Sequence, residues 1–350
     1  MKTGLLLFFL LPVMCFSQKT YPYKNLVLEG GGVRGLAYAG ALQVLEEKGI
    51  LENIENVAGS SAGAIAGLMV ALNYNSHEID SVLNKLKIAD FNDGKFFVGK
   101  IRRIKKEYGV FKGDKIESWL SSLIAEKTGN ENITFEGLHQ LHLKDKTFKN
   151  FFCTGTNISG QKVETLSWKT WPKMKLKTAV HISSSIPFYF IPVAIDSEGN
   201  EVSLSDTSVN HNLFVDGGML SNFPINIFDS TLDGGNPLTS QHVIYNPETL
   251  GLKLERGDQV KIFEKNETEI APYNITNMKD YSHAVMNLMM ESLNRKFVDL
   301  ANEKGRTIYI SYGTISAKVR KVSAEEKTML YNNGRAAAQK FFQETPTVFK

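Results

Sequence analysis

The chain has 350 residues, 42% hydrophobic and 22% charged, with a formal net charge of +3 and two cysteines. So even a charge balance excludes the strong basic field of a nucleic-acid binder, and two cysteines exclude a disulfide-stapled scaffold. The length permits one large domain or two, with a core large enough to fold without cross-links.

Met1 and Lys2 followed by the apolar run Leu5 to Val13, then Cys15-Phe-Ser17-Gln18, read as an export signal over residues 1–17. The run is well short of the roughly 20 residues that a membrane-spanning helix needs. Cleavage near Ser17 leaves Cys153 as the one cysteine, inside the apolar run Asn150 to Thr154, which predicts a buried strand and a structural thiol. The expected destination is a periplasm, the cell envelope or the medium.

Two short apolar runs follow, each ending in a glycine-rich turn that leads into a helix. Asn25 to Glu29 precedes Gly30-Gly31-Gly32-Val33-Arg34-Gly35, and Ile54 to Ala58 precedes Gly59-Ser60-Ser61-Ala62-Gly63. Between them Leu36 to Lys48 carries apolar residues at helical spacing and stops at Gly49. In a parallel sheet, such a strand-turn-helix-strand-turn-helix unit brings both turns to one edge. Gly59-x-Ser61-x-Gly63 has the form of a nucleophile elbow, which makes Ser61 the candidate nucleophile. The N–H groups of Gly30, Gly31 and Gly32 are candidates to hold an oxygen that becomes negative in the transition state. Far downstream, Asn212-Leu-Phe-Val-Asp216-Gly217-Gly218 puts an acidic residue at the end of another apolar run, and Asp216 is the candidate base.

These three motifs in this order resemble the patatin-like phospholipase family, as does the small-residue stretch Ala179 to Phe190 with its proline turn before the aspartate strand. The match covers about residues 24–225. The resemblance implies an α/β class, a three-layer α/β/α fold with a mainly parallel central sheet. It also implies a Ser61–Asp216 dyad acting on lipid acyl esters, of phospholipase A or lysophospholipase type, with no metal and no cofactor. On the same basis Gly30, Gly31, Gly32, Arg34 and Gly35 form the oxyanion loop, Gly59, Ser60, Ala62 and Gly63 the elbow, and Gly217 and Gly218 the aspartate turn. Arg34 either fixes the loop through its fork of donors or adds positive potential near the oxyanion.

The rest of the chain predicts the scaffold. Ala62 to Leu72 is the elbow helix, Ser76 to Leu86 a helix with a serine cap, and Asp114 to Lys127 an amphipathic helix ended by Gly129. Residues 96–108 interleave five cations with aromatic and aliphatic residues, a pattern suited to a solvated helix face or to anionic lipid headgroups. Phe151 to Thr156 and Lys162 to Leu166 predict a hairpin, and Lys175 to Ser185 a helix in which Ser183, Ser184, Ser185 and His181 serve packing or capping. Beyond Asn226, strands are predicted at Gln241 to Tyr245 and Thr307 to Ile310. Helices are predicted over 277–302, with Met286, Met289 and Met290 clustered, and over 324–343. Residues 226–350 are expected to pack on the same body as the catalytic part.

Three rival assignments are open to test. Gly30, Gly32 and Gly35 also satisfy a dinucleotide-binding spacing, but the second strand ends in Gly59-Ser60-Ser61 where a ribose-binding acid is required. His242 and His283 follow Asp216 in the order of an α/β-hydrolase triad. A catalytically inactive lipid-binding protein on the same fold is the third.

Overall fold

The computed structural model describes residues 21–86, 88–93, 103–232, 234–240, 242–265, 267, 269–278, 280, 281, 284, 285, 288, 303–317 and 320–344. The expected export signal, the first part of the basic stretch, His283 and the Met286, Met289 and Met290 cluster lie outside the described residues.

The described strands are β1 (Asn25–Leu28), β2 (Asn56–Gly59), β3 (Gly109–Phe111), β4 (Asn150–Asn157), β5 (Lys162–Ser167), β6 (Phe188–Phe190), β7 (Val193–Ile195), β8 (Glu201–Val202), β9 (Asn212–Asp216), β10 (Ser230–Thr231), β11 (Val243–Ile244), β12 (Thr249–Glu255) and β13 (Thr307–Ser311). The helices are α1 (Tyr38–Glu47), α2 (Ile50–Asn53), α3 (Ala62–Ala71), α4 (Ser76–Lys85), α5 (Asp114–Thr128), α6 (Phe135–Lys144), α7 (Leu176–Ser184), α8 (Gly257–Glu264) and α9 (Ala324–Glu344). One sheet takes the order β13-β12-β1-β2-β4-β9-β7-β8, with β5 also paired to β4. Neighbours from β13 to β4 run parallel. The pairs of β4 with β5 and β9, and of β7 with β8 and β9, are antiparallel. The fold is therefore mixed α/β with a mostly parallel central sheet.

β1 is apolar on both faces because both faces are covered. On one face Leu26, Leu28, Val57 and Phe151 join the main core with α1 and α3. Gly67 of α3 lies so close to the sheet that a Cβ there would sit 3.2 Å from Val57. On the other face Val27, Ala58 and Phe152 pack against Phe223 and Ile225. Gly251 in β12, opposite Val27, leaves the space that the Phe223 ring fills. The segment carrying these residues is tied to the far end of the chain by Arg306, whose fork donates to both Asp229 oxygens at 2.6 Å and to Asn226 Oδ1 at 2.9 Å. Residues after Asn226 thus supply β12 and β13 to the same sheet, and α9 packs along α1.

Two local expectations change. The cap of α4 is Asn75, whose side chain accepts from the Glu78 N–H at 2.8 Å while the Glu78 carboxylate accepts from the Asn75 N–H at 2.9 Å. This reciprocal capping box satisfies two end donors, whereas Ser76 already lies within the helix. Of the predicted strand at 241–245, the described residues form Val243–Ile244, paired with β10.

Candidate functional site

The parallel strands deliver both glycine-rich turns to one edge, since Leu28 and Gly59 are register partners at the ends of β1 and β2. The elbow is built by close approach of backbones. A Cβ on Gly59 would lie 2.3 Å from Gly63 O, and one on Gly63 would lie 2.2 Å from Leu28 O. Only glycine fits at either place. The unusual backbone belongs to Ser61 itself, at φ 49° and ψ −120°, a conformation that costs about 1–3 kcal/mol for a residue with a Cβ. Its N–H donates to Ser183 Oγ at 3.0 Å. α3 starts at Ala62, so the Ser61 hydroxyl stands at a helix N-terminus.

β4 continues past the end of β2, and β9 runs back along that extension to place Asp216 opposite Gly155. Asp216 Oδ2 accepts from Ser61 Oγ at 2.7 Å, and Oδ1 accepts from the Gly218 N–H at 2.7 Å. The main chain is fixed as well: the Asp216 N–H donates to Ser185 O at 2.8 Å, and Thr156 Oγ1 donates to Asp216 O at 2.9 Å. Asp216 is 6% exposed. Burial pushes its carboxyl from 3.8 up to about 6, partly offset by the Ser61 hydroxyl and the Gly218 N–H. The carboxylate is a stronger base than an ordinary aspartate and stays ionised at neutral pH.

The glycine loop expected to hold the oxyanion has fewer free donors than its sequence suggests. The Gly30 N–H donates to Asn222 O at 2.9 Å, and Asn222 Nδ2 donates to Gly30 O at 3.1 Å. Gly30 is therefore clamped. Arg34 Nε donates to Ile315 O at 2.7 Å, and the guanidinium lies 3.6 Å from the centre of the Tyr312 ring, so this side chain ties the loop to the C-terminal part. The N–H groups of Gly31 and Gly32 have no acceptor among the described residues. Gly32, at φ +54°, faces Ala317 O, which a Cβ would approach to 2.1 Å. Beneath the loop, Glu29 Oε2 accepts from the Leu254 N–H at 2.7 Å, and Tyr38 Oη donates to Glu29 O.

Ser61 opens onto a partly enclosed cleft that reaches solvent, lined at this end by Gly32, Gly35, Ala62 and Ser184. Its remaining walls include Leu36, Ile65, Leu86, Phe91, Ile186 and Phe190. Such a cleft takes an apolar chain and holds its polar end at the serine.

Reasoning from sequence missed Asn222, which sits between the glycine loop and the aspartate turn. A Cβ on Gly30 or on Gly218 would lie 2.3 or 2.6 Å from its Oδ1. Ser183, expected to serve packing or capping, carries the acceptor for the Ser61 amide. Both Asp216 oxygens have other partners, and no bond from His242 reaches them; that histidine lies beside β11, where its N–H donates to Ser240 Oγ at 3.1 Å. Cys153 is buried, and burial pushes its thiol well above the ordinary range, as for a structural thiol.

A serine on a strained strand-to-helix turn, hydrogen-bonded to a buried carboxylate beside a glycine loop, is equipment for covalent acyl transfer. The sequence pattern of the patatin-like phospholipases matches residues 26–229, and the chain belongs to that family. It is 32% identical over 213 residues to protein YqhO of Bacillus subtilis, covering 59% of this chain and 67% of the relative. It is 30% identical over 213 residues to a probable lipid hydrolase of invertebrate iridescent virus 6, covering 61% and 65%. A lysophospholipase of Mycosarcoma maydis is 28% identical over 205 residues, 58% of this chain but 9% of that protein. Among solved structures, VipD from Legionella pneumophila shares the fold with a TM-score of 0.58 at 18% identity, over 93% of this chain and 67% of that one.

Proposed function

We propose that the protein hydrolyses acyl esters of lipids, of phospholipase A or lysophospholipase type, through Ser61 and Asp216. The observation that carries this reading is the 2.7 Å bond between the Ser61 hydroxyl and the Asp216 carboxylate at the mouth of an apolar cleft. Family membership and the lipid-hydrolase relatives support it. Ser61 Oγ attacks the ester carbonyl as Asp216 takes its proton, and the N–H groups of Gly31 and Gly32 hold the oxyanion. The tetrahedral intermediate collapses to an acyl-enzyme, and Asp216 returns the proton to the departing lysolipid or alcohol. Water then attacks the acyl-enzyme with Asp216 again as base, releasing the fatty acid and restoring the serine.

The exposed side chains of Lys105, Lys106, Ile104 and Tyr108 support peripheral contact of this stretch with an anionic membrane surface. The N-terminal pattern of residues 1–17 supports export to the periplasm, the envelope or the medium. The test is fatty-acid release from phospholipid and lysophospholipid vesicles and from short-chain esters, by the parent, Ser61→Ala and His242→Ala. Loss of turnover in Ser61→Ala with full activity in His242→Ala is expected. Turnover that survives in Ser61→Ala, or dies in a folded His242→Ala, refutes the dyad.

A further inference from the structure

Away from the reacting atoms, Glu117 of α5, His181 of α7 and Glu201 of β8 converge, each with one donor atom within 4.8 Å of the others. His181 is 4% exposed, and neither ring nitrogen has a hydrogen-bond partner among the described residues. An imidazole removed from water without partners carries an uncompensated desolvation penalty, and two carboxylates directed at the same point repel one another. The space beside the ring is kept by Gly113 at φ +92°, where a Cβ would come within 2.1 Å of His181 Nε2. Ion pairing accounts for only part of the arrangement: Lys177 Nζ pairs with Glu117 at 3.8 Å, but His181 is hydrogen-bonded to neither carboxylate. The other charges facing the cluster are Asp93, Asp114 and Lys175, so acids outnumber bases around it.

We propose that Glu117, His181 and Glu201 form a binding site for a divalent transition-metal cation, zinc in particular. Imidazole nitrogen and carboxylate oxygen are both zinc ligands, and three protein ligands leave a fourth position for water; calcium and magnesium favour oxygen donors throughout, so the imidazole argues for zinc. Tetrahedral zinc brings its donors to about 3.4 Å from one another, so the two glutamates close in by a rotamer adjustment. Glu201 is exposed and free to make it. The cation would add a cross-link between α5, α7 and β8, beside the Lys177–Glu117 ion pair and the pairing of β8 with β7. Its effect on the reaction is positional. His181 O accepts from Ser185 Oγ at 2.8 Å, Ser185 O accepts the Asp216 N–H at 2.8 Å, and Ser183 accepts the Ser61 N–H.

The experiment is calorimetric titration of the chelator-stripped full chain with zinc chloride, and separately with magnesium and calcium chloride, alongside Glu201→Gln, Glu117→Gln and His77→Ala. One zinc equivalent is expected in the parent and in His77→Ala. Affinity should be at least tenfold weaker in each glutamine variant, and zinc should raise Tm in the parent but not in Glu201→Gln. Glu201 lies on the surface, so its variant folds irrespective of the outcome. Absence of zinc binding in the parent, or binding by Glu201→Gln or Glu117→Gln as tight as the parent's, overturns the proposal; so does tighter binding of calcium than of zinc.

Discussion

Replacing Asp216 by asparagine should destroy activity and stabilise the fold. In the folded protein the carboxyl ionises at about 6 against an ordinary value of 3.8, chiefly because it is buried. At 1.36 kcal/mol per tenfold change, holding the ionised form in the native state costs about 3 kcal/mol. The sign follows from linkage: a raised carboxyl lets the native state bind a proton that the unfolded chain has lost. The cost is therefore fully present above about pH 6, shrinks as pH falls, and is gone below the unfolded value near 3.8. The asparagine amide is nearly isosteric and neutral at every pH. Its oxygen can keep the Gly218 N–H, and its nitrogen can donate to Ser61 Oγ in place of the bond now running the other way. The variant should gain up to about 3 kcal/mol at pH 8, or about 5 °C in Tm, with the gain fading towards pH 4. Turnover should fall about 10³-fold for want of a base. Thermal unfolding of parent and variant at pH 8, 6 and 4.5, with ester hydrolysis at pH 8, measures both. A variant no more stable than the parent at pH 8, or a difference that does not change with pH, refutes the burial argument.

The same ionisation sets the pH dependence of catalysis: kcat/KM should rise with pH through an acidic limb at about 6, as Asp216 loses its proton, and a limb near 4 would show a solvated carboxylate instead. Ser183→Ala removes the acceptor that holds the Ser61 N–H at 3.0 Å. It should lower kcat about tenfold with KM unchanged, and an equal fall in substrate affinity would assign Ser183 to binding. Gly63→Ala drives a Cβ to 2.2 Å from Leu28 O and 2.6 Å from Glu29 O, both backbone atoms that cannot yield separately. Destabilisation on the order of 3 kcal/mol is expected by urea unfolding, and a variant of parental stability would show that the two turns are not in contact.

The parts of the site legible in the sequence are those whose chemistry is local. Gly59 and Gly63 stand out because two backbones approach within reach of a single Cβ, which restricts the residue type wherever the elbow occurs. Asp216 stands out because a carboxylate ends an apolar run and is followed by Gly217, where a Cβ would strike Thr154 O at 2.2 Å. Gly49 and Gly129, at φ +67° and +70°, mark helix ends for a similarly local reason.

What escaped is non-local. Nothing near Arg34 in sequence decides between an oxyanion role and a loop role; its partners, Tyr312 and Ile315, lie some 280 residues away. Gly30 reads as a free donor in the sequence, but Asn222, 192 residues on, takes its amide. β12 escaped for a related reason. Thr249–Glu255 contains Gly251, Lys253 and Glu255, a mixture that signals exposure, yet all seven residues are buried. Lys253 stays charged there because it meets Glu303 at 3.0 Å and Glu255 at 3.8 Å, an ion group assembled only when β13's preceding turn is in place. The site depends on this strand directly, since the Leu254 N–H holds the Glu29 carboxylate beneath the glycine loop. The residues after Asn226, the least legible stretch of the sequence, thus brace the loop whose amides the reaction would use.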